Sequence, residues 1–155
     1  MRALYLSAVI MLSFVPRLAG AGDIEWRRYT IASTGTSVDM PVSIFTSDAG
    51  APDGGTGRKF FTEDRRADFT VQSVANPNDE SPATFLAKMQ PPAGIIYKRV
   101  TSDFFVVSSI RNDRIWYNRC NRGNGSMNCV MINYPVAEKR QWDSVVTRIS
   151  RTLKS

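Results

Sequence analysis

The chain has 155 residues, a formal net charge of +6 and no histidine. Its length suits one domain, which at this size buries about two-thirds of its unfolded surface and so builds a real core. The missing imidazole excludes Ser-His-Asp and Cys-His catalysis and removes the commonest general base and metal ligand.

The first element in chain order is a leader. Arg2 supplies a short positive start, residues 3–15 are almost wholly apolar, and Ala19-Gly20-Ala21 places small residues where a signal peptidase reads. The apolar run is ~13 residues, whereas a membrane span needs about 20. A secretory signal over 1–21, cut near Ala21, is therefore expected, leaving residues 22–155 as a single domain. No cysteine follows the small residues, so no lipoprotein anchor is expected. Loss of Arg2 and Arg17 takes the net charge from +6 to +4. That charge keeps an exported protein soluble and suits an anionic partner. No later stretch is long and apolar enough to span a bilayer. The expected location is periplasmic or secreted, with no transmembrane anchor in the mature form.

Strands follow. The stretch EWRRYTIAS (25–33) reads as the first, and TSVDMPVSIF (36–45) as an edge or bulged strand interrupted by Pro41. Residues 46–57, rich in Gly with two Asp and one Pro, read as a loop. RKFFT and ADFTVQSVA flank a hairpin turn at Glu63-Asp64-Arg65-Arg66. Ser81-Pro82 can cap and open a short helix near 82–90 that buries Phe85, Leu86 and Met89. Strands at 95–101, 103–110, 114–121 and 127–134 complete a meander. Neither Asp64-Arg65 nor Asn112-Asp113 carries the glycine expected of a tight hairpin.

Cys120 and Cys129 flank Asn124-Gly125, the strongest short hairpin signal. A two-residue turn there sets 123 opposite 126 and, counting outward, Cys120 opposite Cys129. The pairs alternate, so the cysteines fall on a non-hydrogen-bonded pair with Cα atoms about 4.5 Å apart, within disulfide range. A cross-strand disulfide follows, with ~2.5–3 kcal/mol of stabilisation on the chain-entropy model. The same register puts Trp116, Asn118, Cys120, Met127, Cys129, Met131 and Asn133 on one face. Ile115, Tyr117, Arg119, Val130, Ile132 and Tyr134 share the other.

The C-terminal stretch 136–154 reads as a long helix. Trp142, Val145, Val146, Ile149 and Leu153 recur at helical spacing and make a stripe that should pack on the sheet.

Chemistry is sparse. GAPDGGTGRK superficially suggests a phosphate cradle, but it lacks the G-K-[ST] ending and leads into a strand. Asp48, Asp53, Glu63, Asp64, Asp79 and Glu80 could pair as glycosidase carboxylates, yet they sit in turns, where acidic residues are ordinary. No catalytic residue, metal or cofactor is assigned. Arg111, Arg114, Arg119 and Arg122 lie around the hairpin ends and are the candidates for an anionic partner.

The runs GTSVDMPVSIF…GGTGRKFFTEDRRADFTVQS and YKRVTSDFFVVSSIRNDRIWYNRC resemble a group of small exported alphaproteobacterial proteins of unassigned function. The order of elements, from the GTSVDMP strand to the WDSVVTRISRTL helix, also resembles the PsbP/Mog1-type α/β sandwich. That resemblance implies a non-enzymatic accessory or binding domain. The expected architecture is an α+β fold. It has a mainly antiparallel sheet of about six or seven strands, a short helix, and a long C-terminal helix packed on the sheet. The expected role is an exported, non-catalytic binding module whose partner is a protein or an anionic envelope component; no nucleic-acid partner is expected. A carboxylate-dependent hydrolase and a small-ligand carrier are the alternatives.

Overall fold

The computed structural model describes residues 23–155. The expected leader and its cleavage position lie outside them. The elements run β1 (Trp26–Thr30), β2 (Ser37–Pro41), β3 (Ser47–Gly50), β4 (Thr56–Phe61), β5 (Asp68–Ala75), α1 (Pro82–Met89) and β6 (Ile95–Val100). Then come β7 (Phe104–Arg111), β8 (Arg114–Arg122), β9 (Ser126–Pro135), a 3-10 turn over Val136–Glu138, and α2 (Lys139–Thr152). Seven strands form one sheet in the order β3-β4-β5-β9-β8-β7-β6, with every pair antiparallel. The α+β class holds. Two meanders, β3 to β5 and β6 to β9, are joined through α1 and meet where β5 pairs β9.

Two expectations need correction. The first two strands do not join the main sheet but pair only with each other, as a ribbon. Pro41 ends β2, and its carbonyl accepts from the Ile44 and Phe45 amides, so the chain turns there and drops Phe45 into the core. The ribbon lies beside α2 and is tied to it by reciprocal backbone hydrogen bonds between Ser37 and Lys154 (3.0 and 2.8 Å). The second correction is β3, an edge strand inside the stretch read as a loop. It is short, it shifts register between Asp48 and Gly50, and its composition hides it.

The turns explain themselves locally. Asn112 and Asp113 both take positive φ, 50° and 57°, so β7 and β8 join through a two-residue turn without glycine. Asn and Asp tolerate this region best among non-glycine residues. At the β8–β9 turn only Gly125 is left-handed (φ 69°), and the register is still the expected one. Gly57 serves strand pairing rather than a phosphate: a Cβ there would collide with the Val71 carbonyl of β5.

Each face of the sheet has its own core. Trp142, Val145, Val146, Ile149 and Leu153 are all buried, so the α2 stripe packs as its spacing predicts. With Val38 and Met40 of the ribbon they cover Phe69, Val71, Ile115, Val130 and Ile132 of the sheet. Phe45 joins this layer through Phe69 and Trp142, with ring centroids 5.4 and 5.7 Å away. On the opposite face the short α1 lays Leu86 over Phe105, Val107, Met127, Cys120 and Cys129. The Ser81 hydroxyl accepts from the Thr84 amide (3.2 Å) and Pro82 opens the first turn, so α1 starts where expected.

Candidate anion-binding cleft

The four arginines expected at the hairpin ends do not form one patch. Arg111 and Arg114 flank the β7–β8 turn as a cross-strand pair. Arg122 lies at the far end of the nine-residue β8, about 26 Å from Arg114 at strand rise. Strand parity also divides them: Arg119 shares the α2 face with Tyr117, whereas Arg114 and Arg122 have even parity and belong to the α1 face. Two of the four are already paired. Arg114 lies 3.5 Å from the Asp68 carboxylate and donates to the Arg66 carbonyl (2.7 Å). Arg122 meets Asp79 at 2.7 Å, and that hydrogen-bonded carboxylate holds the guanidinium pKa above its usual range.

Arg119 is different. It lies in a cleft of about 200 Å³ between α2 and strands β6 to β8. Phe104, Val106 and Tyr117 make the floor, Tyr97 and Arg99 of β6 form one rim, and Thr147, Ser150 and Arg151 of α2 form the other. The Arg119 and Arg99 guanidinium carbons sit 4.5 and 5.4 Å from the centroid of the same Phe104 ring. Each gains cation–π attraction, but two cations then share one ring. Arg119 Nε donates to the side-chain oxygen of Asn121 (3.0 Å), an uncharged acceptor. Burial first, and the charge of Arg99 as well, lower the Arg119 pKa, with Tyr117 opposing them. Among the described residues no carboxylate lies within ion-pair distance of Arg99, Arg119 or Arg151. Residues 1–22 contain no Asp or Glu. Tyr117 closes the cleft floor by donating to Ser150 Oγ at 2.5 Å, and burial raises its pKa, so it stays a neutral phenol.

Arg99, Arg151 and Tyr97 were not among the sequence candidates. A signal for Arg99 existed. Counting outward from two-residue turns at 102–103 and 112–113 sets Arg99 opposite Val106 and Val106 opposite Arg119, as observed. Arg151 carried no such signal, because nothing in the helix period says which strands its polar flank overlooks.

The Cys120–Cys129 disulfide is present, with Cα atoms 4.1 Å apart and both cysteines fully buried. It lies on the α1 face, remote from the cleft in role as well as in facing. The acidic candidates are mostly engaged in local structure. Asp48 accepts from the Gly50 amide and Glu80 pairs with Lys88. Asp64 accepts from the Thr62 hydroxyl (2.7 Å) and the Arg66 amide (3.0 Å), which lower its pKa. A general acid needs the opposite shift. Among the described residues no group of three or more His, Cys, Asp or Glu side chains could hold a metal ion, and no helix is long and apolar enough to cross a membrane.

No protein-family model matches the chain, and no curated protein matches it either. Among solved structures it is similar to the solution structure of cyanobacterial PsbP (CyanoP) from Synechocystis sp. PCC 6803. The TM-score is 0.61 at 13% identity, over 87% of this chain and 95% of that one. A likeness at that identity speaks to architecture alone, and it shows that this chain has a PsbP-like fold.

Proposed function

We propose that the chain is an exported, non-catalytic binding module of the cell envelope that receives an anionic group of its partner in the cleft between α2 and β6–β8. One observation carries this reading: Arg99, Arg119 and Arg151 converge on a concavity that holds no carboxylate. Like charges brought together repel, and an incoming anion relieves that repulsion while making charge-assisted hydrogen bonds to the guanidinium forks. The cleft volume of about 200 Å³ is below the ~300 Å³ at which drug-sized pockets begin. This cleft therefore suits a carboxylate or phosphate group, not a whole carried ligand. The lowered Asp64 pKa and the engaged turn carboxylates disfavour the hydrolase. The signal-like residues 1–21 and the buried Cys120–Cys129 bridge support an oxidising, exported setting. The PsbP-like fold is compatible with an accessory module.

The test is a titration of the isotope-labelled protein with tripolyphosphate, followed by NMR. Shifts should concentrate at Arg99, Phe104, Arg119 and Arg151. A variant with Arg99, Arg119 and Arg151 changed to Gln should lose at least about tenfold in affinity, the equivalent of one charge-assisted contact. Changing Arg111, Arg114 and Arg122 to Gln should leave it near wild type. Equal losses from the two sets would overturn the cleft as the binding site.

A further inference from the structure

The two edges of the seven-stranded sheet are not protected alike. β3 is four residues long, breaks register at Gly50 and runs into the Pro52 loop, three devices that keep another strand away. β6 is six residues long, and none of the other described elements covers its outer side. Ile95, Ile96 and Tyr97 are 46%, 51% and 51% exposed. Its bulge is confined to the Ile95–Tyr97 end, and Tyr97 to Val100 pair regularly with β7. The Thr101 amide bonds to the Phe104 carbonyl, which makes that pair the hydrogen-bonded one next to the turn. By antiparallel alternation Lys98 and Val100 turn their N–H and C=O groups away from β7, toward the open edge.

The two faces beside this edge differ in chemistry. On the α2 face lies the arginine cleft, with Tyr97 and Arg99 on its rim. On the α1 face lies an apolar groove of about 370 Å³, lined by Ala83, Leu86, Ala87, Pro91 and Val100 with Lys98 at its margin. Side chains of an added strand would alternate between these faces with a period of two.

We infer that β6 is a strand-addition site for an extended segment of a partner protein whose residues alternate acidic and aliphatic. Backbone groups of the segment bond to Lys98 and Val100. Its carboxylates enter the Arg99–Arg119–Arg151 cleft and its aliphatic side chains enter the α1 groove. This rests on the proposed role of the cleft and names its ligand. A second copy of this chain is the poorer occupant, because pairing β6 with β6 sets Lys98 and Arg99 of one copy against the same cations of the other.

The experiment measures fluorescence anisotropy of a labelled, end-capped peptide alternating Glu and Val. Its controls are a Gln/Val peptide and a Glu/Val peptide N-methylated at alternate amides. The parent peptide should bind, and both controls should bind at least about tenfold more weakly, one lost hydrogen-bonding or charge contribution each. Lys98→Pro removes the outward N–H as well as the charge and the side-chain stem, so it should weaken binding more than Lys98→Gln does. If the methylated peptide binds as well as its parent, strand addition is wrong while the cleft reading survives. If the Glu/Val peptide fails to bind where tripolyphosphate still does, the inference falls alone. If the Gln/Val peptide equals the parent, the inference falls; the cleft reading falls with it if changing the cleft arginines to Gln also leaves tripolyphosphate binding unaffected. A concentration-dependent dimer in sedimentation that Lys98→Pro abolishes would give the edge to a second copy and overturn the proposal.

Discussion

The two faces of the sheet are held by different means. The α2 face has a fourteen-residue helix, a two-stranded ribbon and a large aromatic and aliphatic layer. The α1 face has an eight-residue helix and a small cluster in which two of the six buried members are the bridged cysteines. A helix of two turns contributes little on its own, since short helices depend on packing for their stability. The comparison teaches that a covalent link belongs where burial is thin. Cys120 and Cys129 fix the register of β8 and β9 directly beneath Leu86, on the face where fewer contacts would otherwise do so.

A cavity cut on the α2 face should have the largest effect on stability. Phe69 is fully buried between Phe45 and Phe60, with centroids 5.4 and 6.2 Å away. Phe69→Ala should cost about 4 kcal/mol in urea unfolding, with loss of the whole transition rather than part of it. Leu86→Ala should cost closer to 2 kcal/mol, because α1 can settle toward the sheet. Equal costs would mean that the two faces are not unequal in the way described.

The next effect in size is the bridge. Replacing both Cys120 and Cys129 by Ala should remove about 2.5 kcal/mol. Hydrogen exchange should quicken at α1 and the β8–β9 turn and stay slow across β5 and α2. Uniform quickening would show that the link serves the whole fold. Mass spectrometry of the purified, unreduced protein should also give a peptide bridged between these two residues.

The smallest effect concerns how the ribbon is held to α2. Asp39 of β2 accepts from Arg28 of β1 (3.0 Å) and from Arg148 of α2 (3.2 Å), and Arg148 also lies 4.2 Å from the centroid of the Trp26 ring. Partial burial alone would raise the Asp39 pKa. The hydrogen bonds and charges of the two arginines outweigh it and hold the pKa below the ordinary 3.8. A depressed folded-state pKa means stability that is fully present above about 3.8 and is lost as pH falls through the folded value. Both arginines are more than a third exposed, so solvent screening keeps the contribution under about 1 kcal/mol. Asp39→Asn should lower stability by up to about 1 kcal/mol at neutral pH and leave it nearly unchanged below the folded pKa, which flattens the acid limb of a stability–pH curve. An acid limb identical to wild type would remove this ion cluster as a fastener of the ribbon.

Much of the fold was legible because its signals are local. Asn124-Gly125 set a register that reached Cys120 and Cys129 without any tertiary information. Ser81-Pro82 marked the start of α1, and the stripe from Trp142 to Leu153 marked the buried side of α2. Turn chemistry, capping and periodicity act within a few residues, so they survive in a linear reading. The ribbon and β3 were not legible in this way. Whether a strand pairs in the main sheet or beside it depends on which surfaces α2 leaves open. A four-residue edge strand rich in small residues has too little pattern to be seen.

The candidate site divides along the same line. Residue types and local spacing are enough to show that histidine chemistry is absent, that the two cysteines can bridge, and that Arg119 and Tyr117 share a face of β8. Only the tertiary structure decided that Arg114 and Arg122 are neutralised by Asp68 and Asp79, while Arg99 and Arg151 join Arg119. Pairing register carries side chains across neighbouring strands with a fixed period. The approach of a helix to a sheet has no such period and is set by packing of the whole core.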